Sequence, residues 1–308
     1  NEAMVGIYGA IILTMIIWGS SFVFSKILLT AGLLPHQLIF LMTLLGSIAL
    51  YFVLKIKKKI NQKLLSNLLK IEKKDYKNLL LLALFEPFLY FIGENGALLY
   101  TSPTIVSLFI AMIPLFIQIS MFFLAKEPLK SNQLIGTLIT IFGIILAISS
   151  GGKLQEISLK GVLLLFLSII SAVFYNYYLS GLIKKYHTLQ IVMWQTVIGA
   201  IYFLPIVIFR GRELITMQWN GEYITYLLIL SLLATGVAYS LYSMVLKRIG
   251  VNRTSIFANL IPIITLIISL IMGTEEFHFL KVLSVIIVIM GIYISQIEGK
   301  KKRAKSRK

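Results

Sequence analysis

Ser107-Leu108-Phe109-Ile110-Ala111-Met112-Ile113-Pro114 returns 148 residues later as Ser255-Ile256-Phe257-Ala258-Asn259-Leu260-Ile261-Pro262. The same offset lays Glu127 on Glu275, Gly143-Ile144 on Gly291-Ile292, and Leu79, Leu80 and Leu82 on Leu227, Leu228 and Leu230. In an apolar chain the aliphatic matches carry no weight. A Pro, a Glu and a Gly held on one gapless offset do, and they divide the chain into two related halves.

Outward from that repeat, the whole chain is apolar. Of its 308 residues 58% are hydrophobic and 13% charged, with mean hydropathy +0.90, against about 45–50% and about 25% in soluble domains. Too little polar material remains to coat a water-soluble globule, which excludes a soluble enzyme or a nucleic-acid-binding domain despite the net charge of +17. Cysteine is absent, and the three histidines, His36, His187 and His278, lie far apart. No thiolate or histidine metal centre is expected, and no cofactor.

A helix needs about 20 mostly apolar residues to cross the hydrocarbon core. Ten such runs are present: 5–29, 35–54, 78–98, 103–124, 132–149, 160–182, 189–209, 223–246, 254–273 and 278–297. Leu/Ile richness without alternation excludes a β-barrel. The first run is too long for a signal peptide and lacks a basic leading region. With the amino terminus inside, the cytoplasmic segments 55–77, 125–131, 183–188, 247–253 and 298–308 carry 23 of the 29 Lys and Arg residues. Retention of basic residues on the cytoplasmic side gives that split. The expectation is a multi-pass protein of the cell (plasma) membrane with both termini cytoplasmic.

The basic loops and the tail Lys300–Lys308 then set topology and attract anionic headgroups of the lipid bilayer, with no nucleic acid as partner. Ile60, Leu64, Leu65, Leu68, Leu69 and Ile71 recur at near-helical spacing among lysines. They predict a short amphipathic helix on the inner surface.

Each half holds five helices, an odd number, so tandem copies must sit in the membrane with opposite orientation. The fold class is all-α: ten transmembrane helices as two inverted five-helix repeats, 1–150 and 151–299, followed by the tail 300–308. Inverted repeats are a signature of secondary transporters with a midplane site between the halves. Glu127 and Glu275 each precede the last helix of a half, where a carboxylate suits a helix amino terminus.

Ile17-Trp18-Gly19-Ser20-Ser21-Phe22, Lys26, Glu94-Asn95-Gly96-Ala97-Leu98-Leu99-Tyr100-Thr101-Ser102, Ile113-Pro114, Glu127-Pro128-Leu129, Gly136 and Gly143 stand in order along the first half. Together with the repeat they resemble the EamA family of the drug/metabolite transporter superfamily, from about Gly6 to Ser295. The resemblance implies a central cavity lined by helices 1, 3, 4, 6, 8 and 9, with helices 5 and 10 peripheral. It also implies export of amino acids, metabolites or drugs. The second half departs from the first: Tyr242 and Ser243 stand opposite Glu94-Asn95, and Tyr175-Asn176-Tyr177-Tyr178 stands opposite the Trp18 region. The cavity is expected to be chemically asymmetric.

An ionisable side chain inside a span costs about 2.5–3.5 kcal/mol on insertion scales and is a functional candidate by default. Glu86 and Glu94 are the candidates for a proton or amine site. A Lys26–Glu94 ion pair holding helices one and three together is the competing reading of Glu94; a neutral acid bonded to a neighbouring helix is that of Glu86. Thr235, Tyr239, Tyr242 and Ser243 form a stripe on helix eight, as do Ser107, Ala111, Pro114 and Gln118 on helix four. Such stripes face a bundle interior, as packing contacts or as a cavity wall. The candidate substrate-binding residues are Trp18, Ser21, Tyr90, Glu94, Asn95, Tyr175, Asn176, Tyr239, Tyr242 and Asn259. Pro114 and Pro262 remove backbone hydrogen bonds and are candidate hinges.

The expected function is secondary-active export of a small amphipathic metabolite by alternating access. One or two acids among aromatics fit an amino acid, an amine or a cationic drug. A sugar derivative or nucleotide sugar is the alternative, although a phosphate ester would call for several basic residues in mid-span. An intramembrane transferase would need a nucleophile–base set or metal-ligand spacing, and no histidine lies in the central part of a span. Charge rings or a carbonyl filter, which a channel would need, are not visible. The chain has no P-loop, so transport draws on a gradient.

Overall fold

The computed structural model describes residues 2–60, 70–125, 131–149, 158–210 and 217–296. All regular structure among them is helical. Eight helices are long and apolar enough to cross a membrane, and we label the runs in chain order. They are α1 (Glu2–Thr30), α2 (Pro35–Ile60), α3 (Lys73–Leu98), α4 (Pro103–Ser120), α5 (Ser131–Ser149), α6 (Leu159–Leu182), α7 (Thr188–Arg210), α8 (Gly221–Ile249), α9 (Arg253–Ile271) and α10 (Phe279–Gln296). The two that fall short as spans are α5 and α10, whose apolar stretches Leu134–Ser149 and Phe279–Ser295 are shorter. The amphipathic surface helix, Glu127 and the basic tail lie wholly or largely outside the described residues.

Local chemistry sets the helix starts. The Ser102 hydroxyl accepts from Ile105 N ahead of Pro103, which occupies the first helical position of α4. Ser158 accepts from Gly161 N at 3.1 Å, and Asn220 Oδ1 accepts from Tyr223 N at 2.8 Å. Each cap satisfies an amide that the helix itself leaves without a partner. Gly250, with φ +83°, closes α8 in a conformation that favours glycine.

The main hydrophobic core runs through the bundle, from Ile11 on α1 to Ile292 on α10, and a small second cluster joins Ile17 of α1 to Ala234 and Ala238 of α8. Large apolar side chains also cover the outside; Phe209 is 86% exposed, and Leu138, Leu163 and Ile271 are exposed with it. On a soluble protein so much outward apolar surface would drive aggregation, whereas lipid accepts it.

α5 and α10 pack against each other at closer range than ordinary side chains permit. A Cβ on Gly136 would stand 2.4 Å from Gly291 O, and one on Gly291 would stand 2.5 Å from Thr140 Oγ1. Small residues are the usual means of such approach in lipid. Replacing Gly291 by Leu must push the two backbones apart, at about 3 kcal/mol. The expected result is a drop of several degrees in Tm of the detergent-solubilised protein, whereas Leu in place of the unobstructed Gly181 leaves it unchanged.

Three helices are interrupted. In α3 the residue before Pro87, Glu86, has φ −149° and ψ 119°, in keeping with the clash that keeps a pre-proline residue out of the α region. The second segment of α4 begins at Ile113 and that of α9 at Ile261, after a turn and a 3₁₀ stretch respectively. Pro114 and Pro262 are therefore not mid-helix residues, as the sequence reading has it. Each lies in the first turn of a new segment, where no intrahelical donor is needed. Residues 229–238 of α8 are wound as a π-helix, a form frequent at functional sites.

Candidate functional site

These interruptions surround a cavity in the middle of the bundle. It leaves about 70 Å³ open to a water-sized molecule. α1 contributes Met15, Trp18, Ser21, Phe22 and Ser25, which share one helical face; α3 contributes Glu86, Tyr90, Phe91 and Glu94, spaced along another. From α6 come Ala172, Tyr175 and Asn176, and from α4 Ile110 and Ile113. Ala234, Tyr239 and Tyr242 line it from α8, and the step of five from 234 to 239 follows from the wider π turn. α9 adds Ser255, Ala258 and Ile261, and the spacing of three matches the 3₁₀ stretch between them. α2 supplies Met42.

Eight of the ten candidate binding residues meet here: Trp18, Ser21, Tyr90, Glu94, Tyr175, Asn176, Tyr239 and Tyr242, with Glu86 beside them. Asn95 and Asn259 are not in the lining. Each follows a lining residue by one position, Asn95 after Glu94 and Asn259 after Ala258. Asn95 is fully buried with neither amide atom hydrogen-bonded.

Among the lining residues are two carboxyl groups and no Lys, Arg or His. Both carboxylates are buried, Glu86 at 6% and Glu94 at 3% exposure. The Tyr239 hydroxyl donates to Glu86 Oε1, across from α8 to α3. Tyr90 lines the cavity one turn before Glu94. The Tyr242 hydroxyl donates to Asn176 Oδ1 at 2.7 Å, and Asn176 Nδ2 donates to Ala172 O at 2.8 Å. Tyr175 donates to Gln195 Oε1 at 3.4 Å.

Trp18 stands at the centre of an aromatic group, its ring 5.2 Å from that of Tyr239 and 5.1 Å from that of Tyr242. Its indole N–H donates to Ala234 O at 3.2 Å, inside the π-helical stretch. The Ser21 hydroxyl donates to Trp18 O at 2.7 Å.

The structure replaces the Lys26–Glu94 pair with a different arrangement. Lys26 Nζ donates to the carbonyl oxygens of Leu98 and Thr101, at the end of α3 where the last carbonyls lack intrahelical partners. Glu275 also differs from expectation. Rather than serving the start of α10, its Oε1 accepts from Thr104 N at 2.9 Å, at the amino terminus of α4, while Oε2 takes Lys281 Nζ at 2.5 Å. A helix start carries positive partial charge, so the carboxylate suits α4 for the same physical reason. Glu275 also attracts Lys26 electrostatically. At the other end of α3, Asp75 accepts from Lys185 Nζ and from the Tyr186 hydroxyl, each at 2.8 Å.

Sequence reasoning missed Met42, Gln195 and the break at Glu86. Pro87 is the signal that could have revealed the break. No group of three or more metal-ligating side chains occurs among the described residues.

A model of the EamA-like transporter family matches residues 5–149 and 159–296. A protein of Archaeoglobus fulgidus known as an uncharacterized transporter is 27% identical over 286 residues, covering 92% of this chain and 94% of its own. A "Probable amino-acid metabolite efflux pump" of Escherichia coli is 24% identical over 178 residues, 55% of this chain and 59% of that protein. One crystal structure superposes with a TM-score of 0.61 at 15% identity, covering 92% of this chain and 96% of that one, a likeness of fold.

Proposed function

Because the chain belongs to the EamA-like transporter family, and so is read as an integral membrane transporter, we propose that it works as a secondary-active exporter of a small amphipathic metabolite. The candidates are an amino acid, an amine or a drug. One observation carries this reading: a mid-bundle cavity that draws its walls from seven helices and holds two carboxyl groups among aromatic rings. A buried acid with no cation beside it in the lining is costly to the fold and is retained for ion or substrate handling.

In this reading α5 and α10 complete ten crossings, and 1–150 and 151–299 are inverted repeats whose exchange of conformation opens the cavity first to one side and then to the other. The cluster around Lys26, Thr104, Glu275 and Lys281 holds the outer ends together, and the one around Asp75, Lys185 and Tyr186 holds the inner ends. Both termini face the cytoplasm, and the basic segments lie against anionic headgroups.

The test is reconstitution in liposomes with a panel of labelled amino acids, amines and cationic drugs, with and without a pH gradient. At least one member is expected to be taken up above protein-free vesicles. Glu94→Gln is expected to lower that uptake at least tenfold and to flatten its dependence on the gradient. Unaltered uptake and gradient response in Glu94→Gln would remove that residue from the mechanism.

A further inference from the structure

We infer that the cavity selects an organic ammonium ion that carries no carboxylate. This narrows the substrate class of the proposed exporter and rests on that reading. The argument is one of donors and acceptors. The Trp18 N–H goes to Ala234 O, the Tyr239 hydroxyl to Glu86, the Tyr242 hydroxyl to Asn176 and the Tyr175 hydroxyl to Gln195. One N–H of the Asn176 amide goes to Ala172 O. The indole N–H and three of the four tyrosine hydroxyls of the lining are thus already committed to protein acceptors.

The carboxylates are in the opposite condition. A carboxylate offers about four lone-pair sites on its two oxygens, and Glu86 spends one of them on the Tyr239 hydroxyl. What the cavity still offers a ligand is acceptor capacity, negative charge once a carboxyl group ionises, and the faces of aromatic rings. An ammonium group uses all three, through charge-assisted hydrogen bonds and attraction to ring faces. A carboxylate on the ligand would meet no cation in the lining. The nearest candidate to neutralise it, Lys26, already donates to the carbonyls of Leu98 and Thr101 and is drawn electrostatically to Glu275. Burying a charge without partners is disfavoured, so a zwitterionic amino acid loses at one end what it gains at the other.

The ligand comparison is made on the unaltered chain, so only the Glu94→Gln arm depends on a variant's folding. Uptake into proteoliposomes and binding to the detergent-purified protein are measured for tryptamine against tryptophan and for phenethylamine against phenylalanine. Phenethyltrimethylammonium, whose charge is permanent, is measured alongside. The expected result is at least tenfold tighter binding of each amine than of its amino acid, with binding of the quaternary ion, and at least tenfold weaker amine binding in Glu94→Gln. Equal or tighter binding of the amino acids would overturn the inference and leave an amino-acid exporter standing. If none of these compounds, nor any in the wider panel, is bound or moved, the exporter reading fails and this inference with it.

Discussion

Gln in place of Glu86 lowers transport by a hundredfold or more, yet the purified protein melts no earlier than the parent. Both halves of this expectation follow from where the residue sits. Glu86 occupies the extended break of α3, buried, with the Tyr239 hydroxyl from α8 on one oxygen and the cavity beside it. Gln keeps the shape and keeps an acceptor for Tyr239, so packing is preserved. It removes an ionisable group that the fold bears at a cost, and replacing such a group is often neutral or stabilising. A loss of function without a loss of stability separates a working acid from a structural one. Tyr239→Phe makes a graded companion: it withdraws a donor from a buried carboxyl, a cost of about 1–3 kcal/mol, and lowers transport roughly tenfold. In the double variant the two effects fall well short of additivity, since Tyr239 acts on transport through the ionisable group that Gln has already removed. Retained transport with a lowered Tm in Glu86→Gln would assign the residue to helix packing instead. Proteoliposome uptake and a thermal melt on the same preparations decide it.

The sequence made the spans legible because a bilayer imposes length and apolarity on any helix that crosses it, and eight of the expected runs meet that standard in the structure. It also placed Trp18, Tyr239 and Tyr242 inside, because lipid offers a polar edge no hydrogen-bond partner. Direction around the helix axis was harder to read. Lys26 and Glu94 share a depth, but depth says nothing of azimuth, and the ammonium turned to the free carbonyls at Leu98 and Thr101. Asn95 and Asn259 failed in the same way, each one position off the face that lines the cavity. The α8 stripe fell out of register because a π-helix shifts the repeat: Ala234, not Thr235, faces the cavity, while Thr235 bonds to Leu230 O at 3.0 Å five residues back. A pattern read at 3.6 residues per turn cannot anticipate that step.

The second large effect is expected at the end of the bundle that the proposed orientation turns outward. There Glu275 Oε1 takes the Thr104 amide that starts α4, Oε2 takes Lys281 of α10, and the charge draws Lys26 of α1. The side chains of Glu275 and Lys281 are only 3% and 11% exposed, so the pair is little screened by solvent. Removing one member of a buried pair costs about 3–5 kcal/mol. If the cluster exists only while the outer ends are together, that cost falls on the closed state and not on the open one. A shift of about 1.4 kcal/mol moves a two-state ratio tenfold, so even half of the cost would change which state predominates. Glu275→Gln should therefore raise the labelling rate of a cysteine at Ser21 by an impermeant maleimide added outside, by tenfold or more, and slow net transport. The native chain contains no cysteine, so the introduced thiol reports alone. Lys281→Met should act in the same direction, and the two together should do little more than either, because one ion pair underlies both. An unchanged labelling rate in Glu275→Gln, with Tm lowered, would mean that the cluster stabilises every state alike and gates none.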